Sequence, residues 1–401
     1  MPFATVLGAG GETVTLSFTS AETAALAQKL ADVITSGVLS GTLQPVDYVS
    51  GLPTLPSSTP LEVVIKSSGI ASLPASTAAI VDTAANSVVF GGSLPDETVL
   101  GGSGAISFFA GAGSGGSFVG GDGNDKFVGA DAGNWSITTG NGANTIIVNS
   151  GVNTITSGTG SNAIALNGGS NLVDANGTDD IQALAGSDTI AVTGDDNKVV
   201  VTALNADVTF VGGEGDATVL GGAGSDTIYG GQNGGLYRGG LAGDNLIYGG
   251  MGPTTIEGGG SGDTLNALGS YGSTLIAGAG SETLTGGLSS GNDKFVAGAG
   301  SDLIVAGPGD DTVVGGTGSS TVFAGSGKDL FEFNQGFAGS MTVEGYSVSQ
   351  DKISLAGYGH NEWAGAAANA KLVGGSIVVT LSDNTKITLA GLQTLKNVDP
   401  A

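Results

Sequence analysis

Between residues 144 and 164 the chain returns to the same pair of residues every nine positions: Asn144, Asn153 and Asn162, followed two places later by Ile146, Ile155 and Ile164. The phase extends both ways. Upstream it meets Asp125 with Phe127; downstream it passes Asn171 with Val173, Asp180, Asp188 with Ile190, Asn197 with Val199, and Asp226 with Ile228. After a looser glycine-rich interval it resumes at Asp263, Glu282, Asp293, Asp302, Asp311 and Asp329, each two residues ahead of an apolar one. Spacing slips between eight and eleven, but the unit survives as a glycine-rich turn, a polar residue and a short strand with an apolar middle. That pattern predicts an all-β fold of stacked parallel β-coils, a β-roll or β-solenoid.

Coils stacked about 4.8 Å apart must turn sharply at the same place each time, and glycine takes the positive φ of such turns without steric cost. The chain accordingly spends 76 of its 401 residues on glycine and only 5% on aromatics, too little bulk for a conventional globular core of that size. Alternation along each short strand sends the middle side chain inward, so two facing strands per coil form a thin stack of Ile, Val, Leu and Phe. Residues 86–333 have room for roughly fourteen coils, a rod on the order of 65 Å at that spacing.

Thirty-six acidic residues against eleven basic ones leave a net charge of −25. Nucleic acid phosphates and anionic lipid would be repelled, and multivalent cations are the expected partners. The chain has no cysteine, so disulfides and thiolate metal sites are excluded. The amino-terminal MPFATVLGAGGETVTL has neither a basic region nor an apolar stretch ending in a cleavage site, and no apolar run is long enough to span a bilayer. Any export is expected to use an address elsewhere in the chain.

GGDGNDKFV (120–128) and GGAGSDTIY (221–229) match the nonapeptide G-G-x-G-x-D-x-U-x in full, and the segments from 298 and 307 match it nearly. On these motifs the chain resembles the RTX, or repeats-in-toxin, family. The resemblance implies calcium-binding parallel β-rolls and export by type I secretion through an uncleaved carboxy-terminal signal. It also implies that calcium lies in the turns, between Asp carboxylates and turn carbonyls, in keeping with the six to eight oxygen ligands this ion takes.

Turns on one edge of a two-strand coil recur about every eighteen residues, so a ladder of carboxylates should keep that interval. One edge reads Asp188, Asp207, Asp226, Asp244, Asp263, Glu282 and Asp302, and the other Asp293, Asp311 and Asp329. With Asp125, these aspartates are the candidate calcium ligands, although Asp207 and Asp244 depart from the nonapeptide spacing. From 134 to 171 the same position is filled by Asn134, Asn144, Asn153, Asn162 and Asn171. Amides both donate and accept hydrogen bonds, so this part should stack without an ion, while 188–329 forms a calcium-type part.

Residues 1–85 are expected to form an amino-terminal capping and assembly region. Thr19-Ser20-Ala21-Glu22 resembles a capping box, and Leu26, Leu30, Val33 and Ile34 share one helical face before Gly37 ends the run. Pro45, Pro53, Pro56 and Pro60 mark a linker or irregular loop. Residues 334–401 read as a β cap, with strands in 351–359 and a hairpin in 376–395, and the resemblance gives this region the export signal.

Catalysis finds little support. The single histidine, His360, excludes a histidine-based zinc signature and is expected to pack in the cap with Trp363. Gly287-Leu288-Ser289-Ser290-Gly291 fits a nucleophile elbow, and Gly111, Gly113 and Gly116 fit a phosphate loop, but repeats this rich in glycine and serine produce both patterns by chance. The expectation is a secreted, non-enzymatic, calcium-stabilised structural protein of the extracellular matrix, a biofilm or a surface layer, self-associating into filaments or layers, with cell-surface or matrix polysaccharide as a further candidate partner. The alternatives are a carbohydrate- or ice-binding adhesin module, whose mark would be a flat face of aligned threonines, and, further off, a calcium-dependent polysaccharide-acting enzyme. Aligned Thr does not persist at one turn position, which weighs against the binding module.

Overall fold

The computed structural model describes residues 1–49, 58–194, 198–398 and 400; Pro53, Pro56 and Asn197 lie outside them. The chain divides into two compact units, Met1–Ala206 and Asp207–Ala401. Each is built on a parallel β-solenoid.

The first unit opens with an antiparallel hairpin, Phe3–Leu7 against Thr13–Ser17, followed by helix α1, Ala21–Ser40. Ser20 rather than Thr19 caps this helix, accepting the Thr23 N–H at 3.2 Å. Gly37 lies within the helix, and Gly41, in the left-handed conformation at φ 74°, closes it. Gly37 stays helical because its carbonyl accepts from Thr42 and Leu43 beyond the helix end. The buried stripe also differs from the leucine-rich one expected. Ala24, Ala27, Ala31 and Ile34 face inward, Leu26 and Leu30 sit at the margin, and Val33 is exposed. Alanines let the helix approach closely, so it clamps the hairpin residues Ala4, Val6, Val14 and Leu16 together with Val64, Val81, Leu100 and Val119 of the coils beneath.

Parallel pairing begins well ahead of residue 86. Gln44–Tyr48 already pairs with Leu61–Ile65, so Pro45 lies in a strand. From there two inward rows run in register: Val89, Phe108, Phe127, Ile146, Ile164 and Ile181 on one side, and Val99, Phe118, Ile137, Ile155, Val173 and Ile190 on the other. All are buried. The turns leave no room at their closest approach: a methyl on Gly121 would lie 1.3 Å from the Gly102 carbonyl oxygen of the preceding coil.

The second unit repeats the plan. Phe210, Ile228, Ile247, Leu265, Leu284, Ile304, Val322 and Val343 form one buried row. Val219, Tyr237, Ile256, Leu275, Phe295, Val313, Phe331 and Ile353 form the other. The unit ends in a β cap: Lys386–Leu389 adds in parallel to Ser340–Glu344 and in antiparallel to Ser376–Thr380. A short helix, Glu362–Ala368, joins it. Trp363 ties this helix down by donating to the Val398 carbonyl at 3.1 Å, whereas His360, expected to pack, is exposed.

Candidate functional site

The position two residues ahead of each core side chain points inward at the corner where strand meets turn. Strand register aligns these positions from coil to coil, and a side-chain ladder links them. In the second unit the N–H of Ser273 donates to Asp293 Oδ1 at 2.7 Å, Asp293 to Asp311 at 2.7 Å, Asp311 to Asp329 at 3.0 Å, and Asp329 to Asp351 at 3.1 Å. The opposite edge runs from Val208 to Asp226, from Asp226 to Asn245, from Asn245 to Asp263, and from Glu282 to Asp302. In every link one side-chain oxygen satisfies the main chain of the preceding coil.

The second oxygen is the informative one. Oδ2 of Asp125, Asp188, Asp226, Asp263, Asp293 and Asp311 is buried and accepts no hydrogen bond among the described residues. A buried carboxylate oxygen without a donor is costly, and the anion is disfavoured. Burial raises the carboxyls of Asp125 and Asp311 to about 7, and those of Asp188, Asp226 and Asp329 to about 6. Glu282, neither of whose oxygens has a hydrogen-bond partner among the described residues, is pushed to about 8 by burial and by the neighbouring Asp302 carboxylate. Asp302 differs, because its Oδ2 accepts the Gly298 N–H at 2.9 Å.

Asparagine at this same position shows what the missing partner must do. Asn144 and Asn162 keep the ladder through Oδ1, while Nδ2 takes the place of the carboxylate's second oxygen and donates inward. Asn144 Nδ2 reaches the carbonyls of Gly140 and Gly142 in its own turn at 3.0 and 2.9 Å, and Asn162 Oδ1 in the next coil at 2.9 Å. Asn162 repeats this toward Gly158, Gly160 and Asp179. On the other edge Asn153 donates to Asn171 at 2.8 Å and Asn171 to Asp188 at 2.7 Å. Each of these corners thus presents turn carbonyls to a positive or hydrogen-donating group. An amide supplies that group itself, and an aspartate needs a cation to do so. The aspartate turns therefore fit calcium as a donor set of carboxylate and carbonyl oxygens. Among the described residues no three His, Cys, Asp or Glu side chains cluster around a point, so main-chain carbonyls would have to supply much of the shell.

Several expected positions are displaced by one residue. Asp207 is exposed and accepts the Ser225 N–H, while Val208 occupies the corner. Asp244 is exposed and Asn245 occupies its corner; Asp180 likewise yields to the buried Asp179. Asn134 is exposed, and the buried Trp135 stands at the corner instead, its N–H bonded to Asn153 Oδ1 at 3.0 Å. A one-residue change in turn length moves the inward position onto the neighbour. Asp351 was missed, although it stands two residues ahead of the core residue Ile353. Ser289 of the elbow-like motif is buried and receives the Gly291 N–H at 3.1 Å, a turn-closing role.

The family model for the RTX calcium-binding nonapeptide repeat, in four copies, matches residues 138–173, 209–233, 276–313, 288–322 and 305–337. The first match falls on the asparagine ladder. No curated protein matches the chain.

Proposed function

We propose that this chain, an RTX repeat protein whose nonapeptides are calcium-binding motifs, is a secreted, calcium-stabilised structural protein that assembles outside the cell, in matrix, biofilm or surface layer. The observation that carries the reading is the contrast within one corner geometry: a satisfied amide in Asn144 and Asn162, an unsatisfied buried oxygen in Asp293 and Asp311. We assign Asp125, Asp188, Asp226, Asp263, Asp293, Asp311 and Asp329 as calcium ligands, with Asp302 in a supporting place. Asp207 and Asp244, exposed beside corners held by Val208 and Asn245, are not among them. When bound, calcium supplies the positive charge these corners lack. The protein's own residues hold the turns in register, exclude water and present the oxygens.

At the low calcium of a cytosol the aspartate corners repel one another, and binding outside the cell becomes folding energy. Export by type I secretion, with the signal in 334–401, is part of this reading and is supported by the resemblance to the RTX family. Electron microscopy with and without calcium tests assembly: ordered filaments or sheets are expected in millimolar calcium. Dispersed single particles under all conditions would remove the structural reading.

One observation favours a binding module as second reading. Threonine does persist, on an outward strand row rather than in a turn. The row runs Thr209, Thr227, Leu246, Thr264, Thr283, Leu303, Thr321, Thr342 and Thr388 in continuous register. Regularly spaced hydroxyls and methyls suit a repetitive surface such as a crystalline polysaccharide or ice. Pull-down on insoluble glycans and an ice-recrystallisation assay decide it.

A further inference from the structure

The buried row of the second unit that holds Val322 and Val343 does not stop at the last parallel strand. Register carries it through Leu389 and Ile377 of the β cap and out to Leu372. Val343 and Leu389 are fully buried and Ile377 nearly so, but Leu372 is 61% exposed. Its strand, Lys371–Val373, pairs with Ser376–Thr380 on one side and with no strand on the other among the described residues. The aliphatic row therefore reaches the surface at an open strand edge.

Alternation within the cap shows which main-chain groups face that edge. The Leu381 N–H donates to the Thr385 carbonyl at 2.9 Å. Ile377 and Val379 therefore bond toward Lys386–Leu389, and Ser376 and Val378 toward Lys371–Val373. Lys371 and Val373, opposite Val378 and Ser376, take those bonds, and Leu372, opposite Ile377, keeps its N–H and carbonyl turned outward. The turn at Gly374 and Gly375, with φ of 58° and 83°, agrees, because a two-residue turn of this hand closes on a hydrogen-bonded pair, here Val373 and Ser376. The outermost parallel strand of the first unit, Gln44–Tyr48, is guarded instead. Its Gln44 N–H donates to the Pro60 carbonyl at 2.9 Å, so Pro45 faces the open side and offers no donor there. Asp47, two residues on, adds a charge. Edges kept from pairing carry such residues. Leu372 has neither, and Lys371 lies on the other face of its strand.

We propose that the edge at Leu372 is the contact through which two copies of this chain associate, strand against antiparallel strand, about a two-fold axis at Leu372. The inference rests on the reading that the chain self-associates and names the surface that does so. A second copy fits because a residue offering one N–H and one carbonyl on the same edge is its own complement: Leu372 donates to and accepts from Leu372 of the partner subunit. This register sets Lys371 against Val373 of the partner subunit, so the strand's single charge does not meet its like. The two leucine side chains cover each other and close the exposed end of both aliphatic rows.

The chain has no cysteine, so single cysteines report this contact cleanly. In millimolar calcium, Leu372→Cys should form a disulfide-linked dimer on mild oxidation, since hydrogen-bonded partners stand about 5.5 Å apart at Cα, within the range a disulfide spans. Lys371→Cys alone should link poorly, whereas Lys371→Cys mixed with Val373→Cys should link well. Equal yields from Leu372→Cys and Lys371→Cys would mean chance collision and overturn the proposal. Sedimentation gives a second measure: Leu372→Lys sets like charges against each other at the axis and should weaken association roughly tenfold or more. A Leu372→Lys variant that associates as the wild type does overturns this edge and leaves the self-association reading standing. Wild type that sediments as a monomer at every concentration, with no linked Leu372→Cys, removes both, and is the outcome expected if the edge takes a strand from a different protein. The cysteine yields decide even where Leu372→Lys fails to fold.

Discussion

Asn162 Oδ1 receives both the main-chain N–H and the side-chain Nδ2 of Asn144, at 3.2 and 2.9 Å, from one coil earlier. Asp311 stands in the same relation to Asp293 through the main chain alone, and its second oxygen has no donor among the described residues. The two pairs differ by an amide against a carboxylate in one geometry, and the predictions follow from that difference.

Asp311→Asn should stabilise the chelated protein and weaken its response to calcium. The change removes a buried, unpaired oxygen and supplies a donor, worth about 1–3 kcal/mol in chelator. Urea unfolding with and without calcium measures both parts. A variant less stable than wild type in chelator would contradict the account.

Asn162→Ala should behave in the opposite way. It leaves the Asn144 main-chain N–H without its acceptor, takes one of three acceptors from the Asn144 amide and removes the Asn162 amide from Gly158, Gly160 and Asp179, and should cost about 1–3 kcal/mol in calcium and in chelator alike. Calcium stoichiometry should not change.

Acid should stabilise the calcium-free protein. Burial raises the folded-state carboxyls of Glu62, Glu97, Asp125 and Asp311 to about 7, above reference values of 4.5 for Glu and 3.8 for Asp. Raised folded values mean that the native state binds protons more tightly than the unfolded chain. The resulting stability is complete below the unfolded values and is lost as pH climbs through about 7. In chelator, the urea midpoint should therefore fall between pH 5 and pH 8. In saturating calcium the fall should be much smaller, because the ion binds the deprotonated form.

Removing residues 1–43 should leave calcium binding by the second unit intact while changing self-association. The deletion uncovers Val64, Val81, Leu100 and Val119, which α1 and its hairpin now bury. Light scattering should show calcium-independent aggregation, in place of any ordered polymer the full chain forms.

Gly121→Ala should disrupt the first unit, because the added methyl would fall 1.3 Å from the Gly102 oxygen, a clash with main chain that no side-chain rotation relieves. Loss of more than about 3 kcal/mol is expected, beyond the usual range for a point change. Thermal melting followed by Trp135 fluorescence reads it out.

The nine-residue return of Asn and Ile was enough to determine the coil, its glycine turns, its thin aliphatic core and the corner that holds polar residues, because each is a local consequence of period and alternation. Asp125, Asp226, Asp263, Asp293, Asp311 and Asp329 were all legible as turn positions two places ahead of a core residue, and the structure buries them. Which residue takes the corner where a turn gains or loses one member was not legible from counting, and there the pairing of strands decided. Register with neighbouring coils put Val208, Asn245, Asp179 and Trp135 inward, in place of Asp207, Asp244, Asp180 and Asn134. It also selected Glu97 over Asp96. The face of α1 was likewise a tertiary matter: leucines make the more hydrophobic stripe, but only the alanine face lets the helix lie close against Leu100 and Val119. Local sequence sets what each turn can be, while hydrogen bonding between coils distant in sequence sets which of two adjacent side chains is buried.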